Sequence, residues 1–152
     1  MSGLIEIEVC DEYESLFAKI ELICKKVYWE LGRGYPESIY QNAICIDLSD
    51  QLISYRTEVT MDVTYKKQKV GNIRADIVCY GDYPLVIETK TVWGLKLKDE
   101  LQLGRYMEVL DIAYGILVNF PISGEPEIKF LLMVENTGLV RYDRKNKNGR
   151  AI

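Results

Sequence analysis

Two carboxylates and a lysine near the middle of the chain have the types and the spacing to bind a cation and a phosphate. Glu88 follows Asp76 by twelve positions, and Lys90 follows Glu88 by two. Because side chains alternate along a strand, Glu88 and Lys90 point to the same face of one strand. Carboxylates bind hard divalent cations, and an ammonium group beside them can hold a phosphate. If a turn at 81–84 pairs the two strands, the pattern predicts a metal centre, with the backbone carbonyl of Thr89 as a third ligand.

The alternative for this pattern is an ordinary ion pair between neighbouring strands at the solvated end of a sheet. An acid two residues before a lysine is common, so that alternative would be preferred for the pair alone. The apolar run at 85–87 favours a central strand instead, and Asp76 supplies a second acid nearby.

Glu37 is a third candidate carboxylate. On a predicted helix it shares a face with Tyr40 and Ile44, because these residues recur at helical spacing. A charge on a buried stripe is costly without a partner, and a metal ion or its water shell would serve. The alternative is a structural acid in the first helical turn, stabilised by the helix dipole.

Gln102 and Tyr106 lie four residues apart on a predicted helix and therefore share a face. A glutamine amide can hydrogen-bond a carboxylate ligand, a metal-bound water or a phosphate, and a tyrosine hydroxyl can hydrogen-bond a phosphate. The alternative is a glutamine at the edge of the helix beside a core tyrosine.

The elements that must position these residues follow from hydrophobic periodicity. Helical spacing between Tyr13 and Leu31 predicts a first helix, and a second follows to about residue 52, with Pro36 in its first turn. Strands are predicted at 57–65, 70–80, 85–90, 113–119 and 127–134. A third helix is predicted at 98–110. This order predicts an α/β domain with a mixed central β-sheet flanked by helices.

The strand at 70–80 carries Asp76 and has two expected features. Gly71 is a candidate β-bulge. Regular alternation puts Asp76 on one face and puts the apolar set on the other, namely Ile73, Ala75, Ile77 and Cys79.

Length and composition bound the chemistry. The 152 residues predict one domain, 1–152. The chain has no histidine, which excludes Ser-His-Asp triads, Cys-His dyads and histidine-ligated zinc. Oxygen ligands remain, and they favour Mg²⁺ or Mn²⁺. The four widely spaced cysteines are predicted to be buried free thiols.

The net charge of −4 argues against a protein that coats nucleic acid by bulk electrostatics, although it allows local contacts. The segment 141–150 is basic, and we expect a C-terminal tail at 141–152. It either contacts nucleic acid or serves as a disordered solubilising end. No signal-peptide pattern or membrane-length apolar run is seen, so a cytoplasmic location is expected.

Five short motifs in order resemble the GxxExxY family of the PD-(D/E)xK nuclease superfamily. The resemblance covers about 34–121, and its motifs are Gly34-x-x-Glu37-x-x-Tyr40, Arg74-Ala75-Asp76, Ile87-Glu88-Thr89-Lys90, Gln102 and Leu117-Val118-Asn119-Phe120. It implies a restriction-endonuclease-like core with a mixed four-stranded sheet. It further implies that Asp76 and Glu88 bind metal, that Glu37 supports the metal site, and that Lys90 acts on the attacking water or the phosphate.

Gln102 and Tyr106 are similar to the Gln-x-x-x-Tyr element of exonucleases of the lambda and RecB type. The superfamily's proline before the first aspartate is Ala75 here. The resemblance therefore implies a nuclease that acts on nucleic acid, with DNA favoured over RNA.

The alternative function is a catalytically inactive nuclease fold that binds nucleic acid or a protein. Trp93 follows Lys90 closely and could stack on a base or anchor a partner, although a packed loop tryptophan is commoner. A homodimer is expected if the apolar strand at 128–134 lies at a sheet edge.

Overall fold

Two helices near the start of the chain form where apolar residues recur at helical spacing. The computed structural model describes residues 3–152, beginning with a short strand, β1 (Leu4–Glu6). The helix α1 (Asp11–Leu31) buries one apolar face, and Gly32, with a φ of 83°, ends it. The helix α2 (Glu37–Asp50) follows. Pro36 is its N-cap residue, whereas the sequence predicted it inside the first turn.

The strands form one mixed sheet, which confirms the predicted α/β fold class. They are β2 (Tyr55–Tyr65), β3 (Gln68–Cys79), β4 (Leu85–Lys90), β5 (Tyr114–Asn119), β6 (Glu127–Val134), β7 (Gly138–Asp143) and β8 (Asn148–Ala151). Their order across the sheet is β1-β8-β7-β6-β5-β4-β3-β2. β4 and β5 are parallel and are joined by the crossover helix α3 (Leu97–Leu110), as parallel neighbours require.

The helices cover the two faces of the sheet. α1 and α2 pack on one face, in a core that includes Phe17, Ile44 and Ile87. α3 packs on the other face through Leu103 and Met107. This second contact is close, because a Cβ on Gly115 of β5 would lie 2.6 Å from Met107 Sδ. α3 is thereby held against the centre of the sheet, next to β4.

The C-terminal part of the chain differs from the expectation. The segment 141–150 is not a tail, because its residues form β7 and β8 and pair with β6 and β1. β6 consequently lies between β5 and β7, so the strand at 128–134 is not a sheet edge. The condition on which a homodimer was expected is therefore not met. The sheet has twice the four strands that the resemblance implies.

β2 and β3 extend beyond the rest of the sheet as a hairpin. β4 pairs only with residues 77–79 of β3, so the hairpin beyond Asp76 has no strand on its other side. The turn is Lys66-Lys67, shorter than the sequence suggests. The register shifts between Val63 and Thr64, opposite the predicted bulge at Gly71.

Three of the four cysteines are buried free thiols as expected, whereas Cys10 is exposed. No helix within residues 3–152 is long and apolar enough to cross a membrane.

A buried carboxylate, paired with cations at the edge of the core, fastens α3 to the sheet. Glu100 is 1% exposed, and its two carboxylate oxygens accept hydrogen bonds from Nε and Nη2 of Arg141 on β7, the latter at 2.8 Å. Lys129 Nζ lies 3.6 Å from the same carboxylate. A carboxylate removed from water in this way depends on its cations.

We expect Arg141→Ala to lower the free energy of unfolding by about 3 kcal/mol, because a buried charge loses its bidentate partner. Lys129→Ala, at the longer contact, should cost less than about 1 kcal/mol, because a single ammonium at 3.6 Å makes no bidentate pair. Urea denaturation at pH 7 measures both. Adding Glu100→Gln to Arg141→Ala should restore part of the loss, and equal losses in the two single variants would contradict this account.

Candidate active site

Asp76 and Glu88 meet where β3 and β4 separate. Backbone pairing between these strands stops at Ile77 and Ile87. Beyond that point carboxylates replace backbone acceptors: the Asp76 N–H donates to Glu88 Oε1 at 2.7 Å, and the Thr89 N–H donates to Asp76 Oδ2 at 2.9 Å. The two acids are therefore fixed against each other by the backbone amides of both strands.

The strand that carries Asp76 does not alternate regularly. Ile73 and Ala75 pack on the α3 side of the sheet, whereas Ile77 and Cys79 pack on the α1 side, so the predicted single apolar face is wrong. The irregularity lies opposite Glu58, whose φ is 52°. Glu58 and Asp76 do not pair, although the register of the two strands is the same on both sides of them. Such distortions re-aim side chains, and here the change of face occurs at Asp76.

Glu37 joins this pair from α2. Thr89 Oγ1 lies 3.1 Å from Asp76 Oδ2 and 3.4 Å from Glu37 Oε1, and it links the two acids. Gln41 Nε2 donates to Glu37 Oε1 at 3.0 Å and to Thr89 Oγ1 at 2.9 Å. Gln41 was not among the predicted site residues, although its position four residues after Glu37 on a helix was a usable signal.

Tyr40 fixes the entry to α2. Its hydroxyl donates to the Gly32 carbonyl at 2.7 Å, and its ring stacks on Phe120 at the end of β5, with centroids 4.5 Å apart. Both residues belong to the motifs identified in the sequence. Their contact orients the first turn of α2 and, with it, Glu37.

Lys90 faces α3 at the end of β4. Its Nζ donates to Gln102 Oε1 at 2.6 Å and lies 3.9 Å from Asp99 Oδ1. Tyr106, one turn further along α3, has a raised pKa because of its burial and then because of the charges of Glu88 and Asp76. The structure thus brings Gln102 and Tyr106 to the cluster.

The electrostatics of the cluster are those of acids that resist joint ionisation. Glu88 is 3% exposed. Burial raises the pKa of Glu88 to about 8, and the charge of Asp76 contributes to the increase. The hydrogen bond from the Asp76 N–H and the charge of Lys90 lower the pKa and offset part of it. Burial and then Asp76 also raise the pKa of Glu37. A bound cation would relieve this repulsion.

The donor set fits a hard cation in its chemistry. Each acid uses one oxygen for the contacts described above, and within residues 3–152 its other oxygen accepts no protein hydrogen bond. The same part of the chain contains no set of three or more His, Cys, Asp or Glu already arranged around a metal position. The contacts explain this, because the carboxylates are turned toward amides. Carboxylate and carbonyl oxygens are the ligands that hard cations such as Mg²⁺ and Mn²⁺ prefer.

Comparisons with known proteins identify the superfamily of this chain. A family model for the PD-(D/E)XK nuclease superfamily matches residues 14–131. The crystal structure of SSO0001 is similar over 77% of this chain, with 22% sequence identity and a TM-score of 0.47, and the match spans 59% of the SSO0001 chain. Among curated proteins no significant match is found.

Proposed function

Because this chain belongs to the PD-(D/E)XK nuclease superfamily, we propose that it is a metal-dependent nuclease that hydrolyses phosphodiester bonds, with DNA as substrate. One observation carries the proposal. Asp76 and Glu88 are joined through backbone amides where β3 and β4 part, and Lys90 follows on the same strand. The contact of Tyr40 with Phe120 supports placing the chain in the GxxExxY group of that superfamily.

The acids would hold Mg²⁺ or Mn²⁺ through Asp76 and Glu88, with support from Glu37. The carbonyl of Thr89 stays a predicted ligand, while its amide and hydroxyl hold Asp76. A cation bound there would supply positive charge that lowers the pKa of a bound water and stabilises the phosphate.

Gln102, Lys90 and Tyr106 would position the reacting groups and donate hydrogen bonds to the phosphate. Gln102 Oε1 holds the Lys90 ammonium at 2.6 Å, so the charge is fixed before substrate arrives. From there Lys90 donates to a phosphate oxygen or orients the attacking water, where negative charge develops in the transition state. The raised pKa of Tyr106 keeps its phenol protonated, so that it can donate to the phosphate.

A cleavage assay tests the proposal directly. Wild type and Asp76→Asn are incubated with linear duplex, circular duplex and single-stranded DNA and with RNA, in Mg²⁺, Mn²⁺ or EDTA. We expect metal-dependent cleavage by wild type and a loss of about 10³-fold in Asp76→Asn, because charge stabilisation of this kind is worth several kcal/mol.

The matched control is Asp62→Asn. Asp62 lies on β2, outside the cluster, and its Oδ1 is 3.2 Å from Lys69 Nζ. It should cleave like wild type. Loss of linear substrates alone would identify an exonuclease. Absence of cleavage by wild type, or equal cleavage by wild type and Asp76→Asn, would contradict the proposal.

The second candidate function is binding without cleavage. The engagement of each carboxylate by protein donors favours it. The net charge of −4 favours a protein as the partner. A stable complex with a protein, or nucleic acid bound by wild type, with no turnover in either metal would identify this function.

A further inference from the structure

The loop between β4 and α3, residues 91–96, exposes a tryptophan beside Lys90. The indole of Trp93 is 77% exposed, and Val92 before it is 38% exposed. We call this segment the Trp93 loop. A single exposed apolar residue means little on its own, so the question is what holds this one outside.

A buried polar network clamps the Trp93 loop on both sides of its tryptophan. Asn119, which is fully buried, accepts from the Val92 N–H and donates to the Val92 carbonyl, both at 2.9 Å. Asn119 Nδ2 also donates to Glu127 Oε1 at 2.8 Å, and the same oxygen accepts from the Leu95 N–H at 3.1 Å. Because satisfied buried networks rigidify the backbone they hold, the loop is a fixed platform.

A cavity of about 510 Å³ opens between this platform and the catalytic lysine. Its lining includes Lys90, Trp93, Lys96, Lys98 and Ile122. Asp99, the acid in the lining, is 6% exposed and accepts from the Lys96 N–H through Oδ2 at 2.8 Å. The accessible charge of this cavity is therefore positive, although the chain as a whole carries −4.

We propose that this cavity binds an unpaired nucleotide next to the scissile phosphate, with its base stacked on Trp93. The inference rests on the proposed nuclease function and deepens it by naming the substrate as nucleic acid that is single-stranded at the point of cleavage. Lys96 and Lys98 meet the phosphates on either side of that nucleotide. A base inside a duplex has both faces covered by the base pairs above and below it. An unpaired base can leave the stack and place one face on the exposed indole.

The two tryptophans of the chain allow a clean test. Trp29 on α1 is 66% exposed, nearly as much as Trp93, and it is not part of the cavity lining. In the Trp29→Phe protein Trp93 is the sole tryptophan, and excitation beyond the absorption of tyrosine reports on it alone. With EDTA present to prevent turnover, a dT12 oligonucleotide should quench its fluorescence, and a 12-base-pair duplex should do so much less.

Affinity for the same dT12 oligonucleotide is then measured by fluorescence anisotropy. We expect Trp93→Ala to weaken binding about 5- to 100-fold, the range found for loss of one base–aromatic stack. Trp93→Phe should recover part of the affinity, and Trp29→Ala should bind like wild type. Circular dichroism confirms that each variant is folded.

Equal affinities of wild type and Trp93→Ala, unchanged Trp93 fluorescence, or binding of duplex as tight as dT12 would overturn the inference. These readouts need no cleavage, so the two proposals fail separately. If dT12 quenched Trp93 fluorescence but wild type did not cleave, the nucleotide site would be supported and the proposed nuclease function would be rejected. Cleavage by wild type with Trp93→Ala binding unchanged would keep the nuclease and remove the nucleotide site.

Discussion

Replacing Lys90 with alanine is expected to slow cleavage by about 10³-fold, because it removes a preorganised charge aimed at the reacting phosphate. Affinity for the metal ion should change far less, since the ammonium is not a ligand. The 2.6 Å contact with Gln102 holds the lysine in place, so Gln102→Ala should slow cleavage by about 10-fold as a positioning residue.

Single-turnover cleavage at saturating Mg²⁺ measures both effects, and calorimetry measures the metal affinity. Lys129→Ala is the matched control, because Lys129 lies on the same sheet and contacts a different buried acid of α3. It should keep the wild-type rate. A Lys90→Ala protein that cleaves as fast as Lys129→Ala would show that Lys90 has no catalytic role.

Glu88→Gln is expected to abolish metal binding while making the metal-free protein more stable at pH 8. The pKa of Glu88 is raised from 4.5 to about 8 in the folded protein, chiefly by burial. Between these values the folded state binds more protons than the unfolded state. The resulting stabilisation is complete below pH 4.5 and is lost as the pH rises through about 8, with a slope of up to about 1.4 kcal/mol per pH unit.

Glutamine does not ionise, and its carbonyl oxygen can still accept from the Asp76 N–H. The free energy of unfolding of metal-free Glu88→Gln should therefore not fall with rising pH, and at pH 8 it should exceed that of wild type by about 4 kcal/mol. Urea denaturation in EDTA at pH 5, 6.5 and 8 measures this difference. Mg²⁺ or Mn²⁺ should then raise the stability of wild type alone.

The matched control is Glu58→Gln, because Glu58 is exposed and pairs with Arg74 at 3.8 Å. It should follow the wild-type pH dependence. If the free energy of unfolding changed with pH in the same way in wild type and Glu88→Gln, ionising the buried Glu88 carboxyl would cost the folded protein no free energy. A metal-induced stabilisation of Glu88→Gln equal to that of wild type would remove Glu88 from the ligand set.

Local periodicity was enough to place several site residues from the sequence. Glu88 and Lys90 share a strand face, and Glu37 shares a helix face with Tyr40, because both relations depend only on spacing. The placement of Asp76 depended on a distortion at Glu58 in the partner strand, which regular alternation does not show. The network at Asn119 joins residues 27 positions apart, so no local signal announced it.

The C-terminal strands were missed for a related reason. The segment 141–150 is rich in lysine, arginine, asparagine and glycine, which are poor indicators of a strand. Its conformation comes from pairing: β7 pairs with β6 across a short turn, and β8 pairs with β1 at the other end of the described residues. Strand content of this kind is decided by neighbours in space.

The attachment of α3 to β7 ties the chemistry to the order in which the chain is made. Gln102 and Tyr106 sit on a helix whose buried Glu100 is bound by Arg141 through two hydrogen bonds, so a nascent chain that ends before β7 lacks this bidentate partner. The acids come from α2, β3 and β4, and such sequence-distant contacts form late in folding. A partly synthesised chain therefore has the acids and the lysine before α3 gains its attachment to β7, so the candidate site is completed only near the end of synthesis.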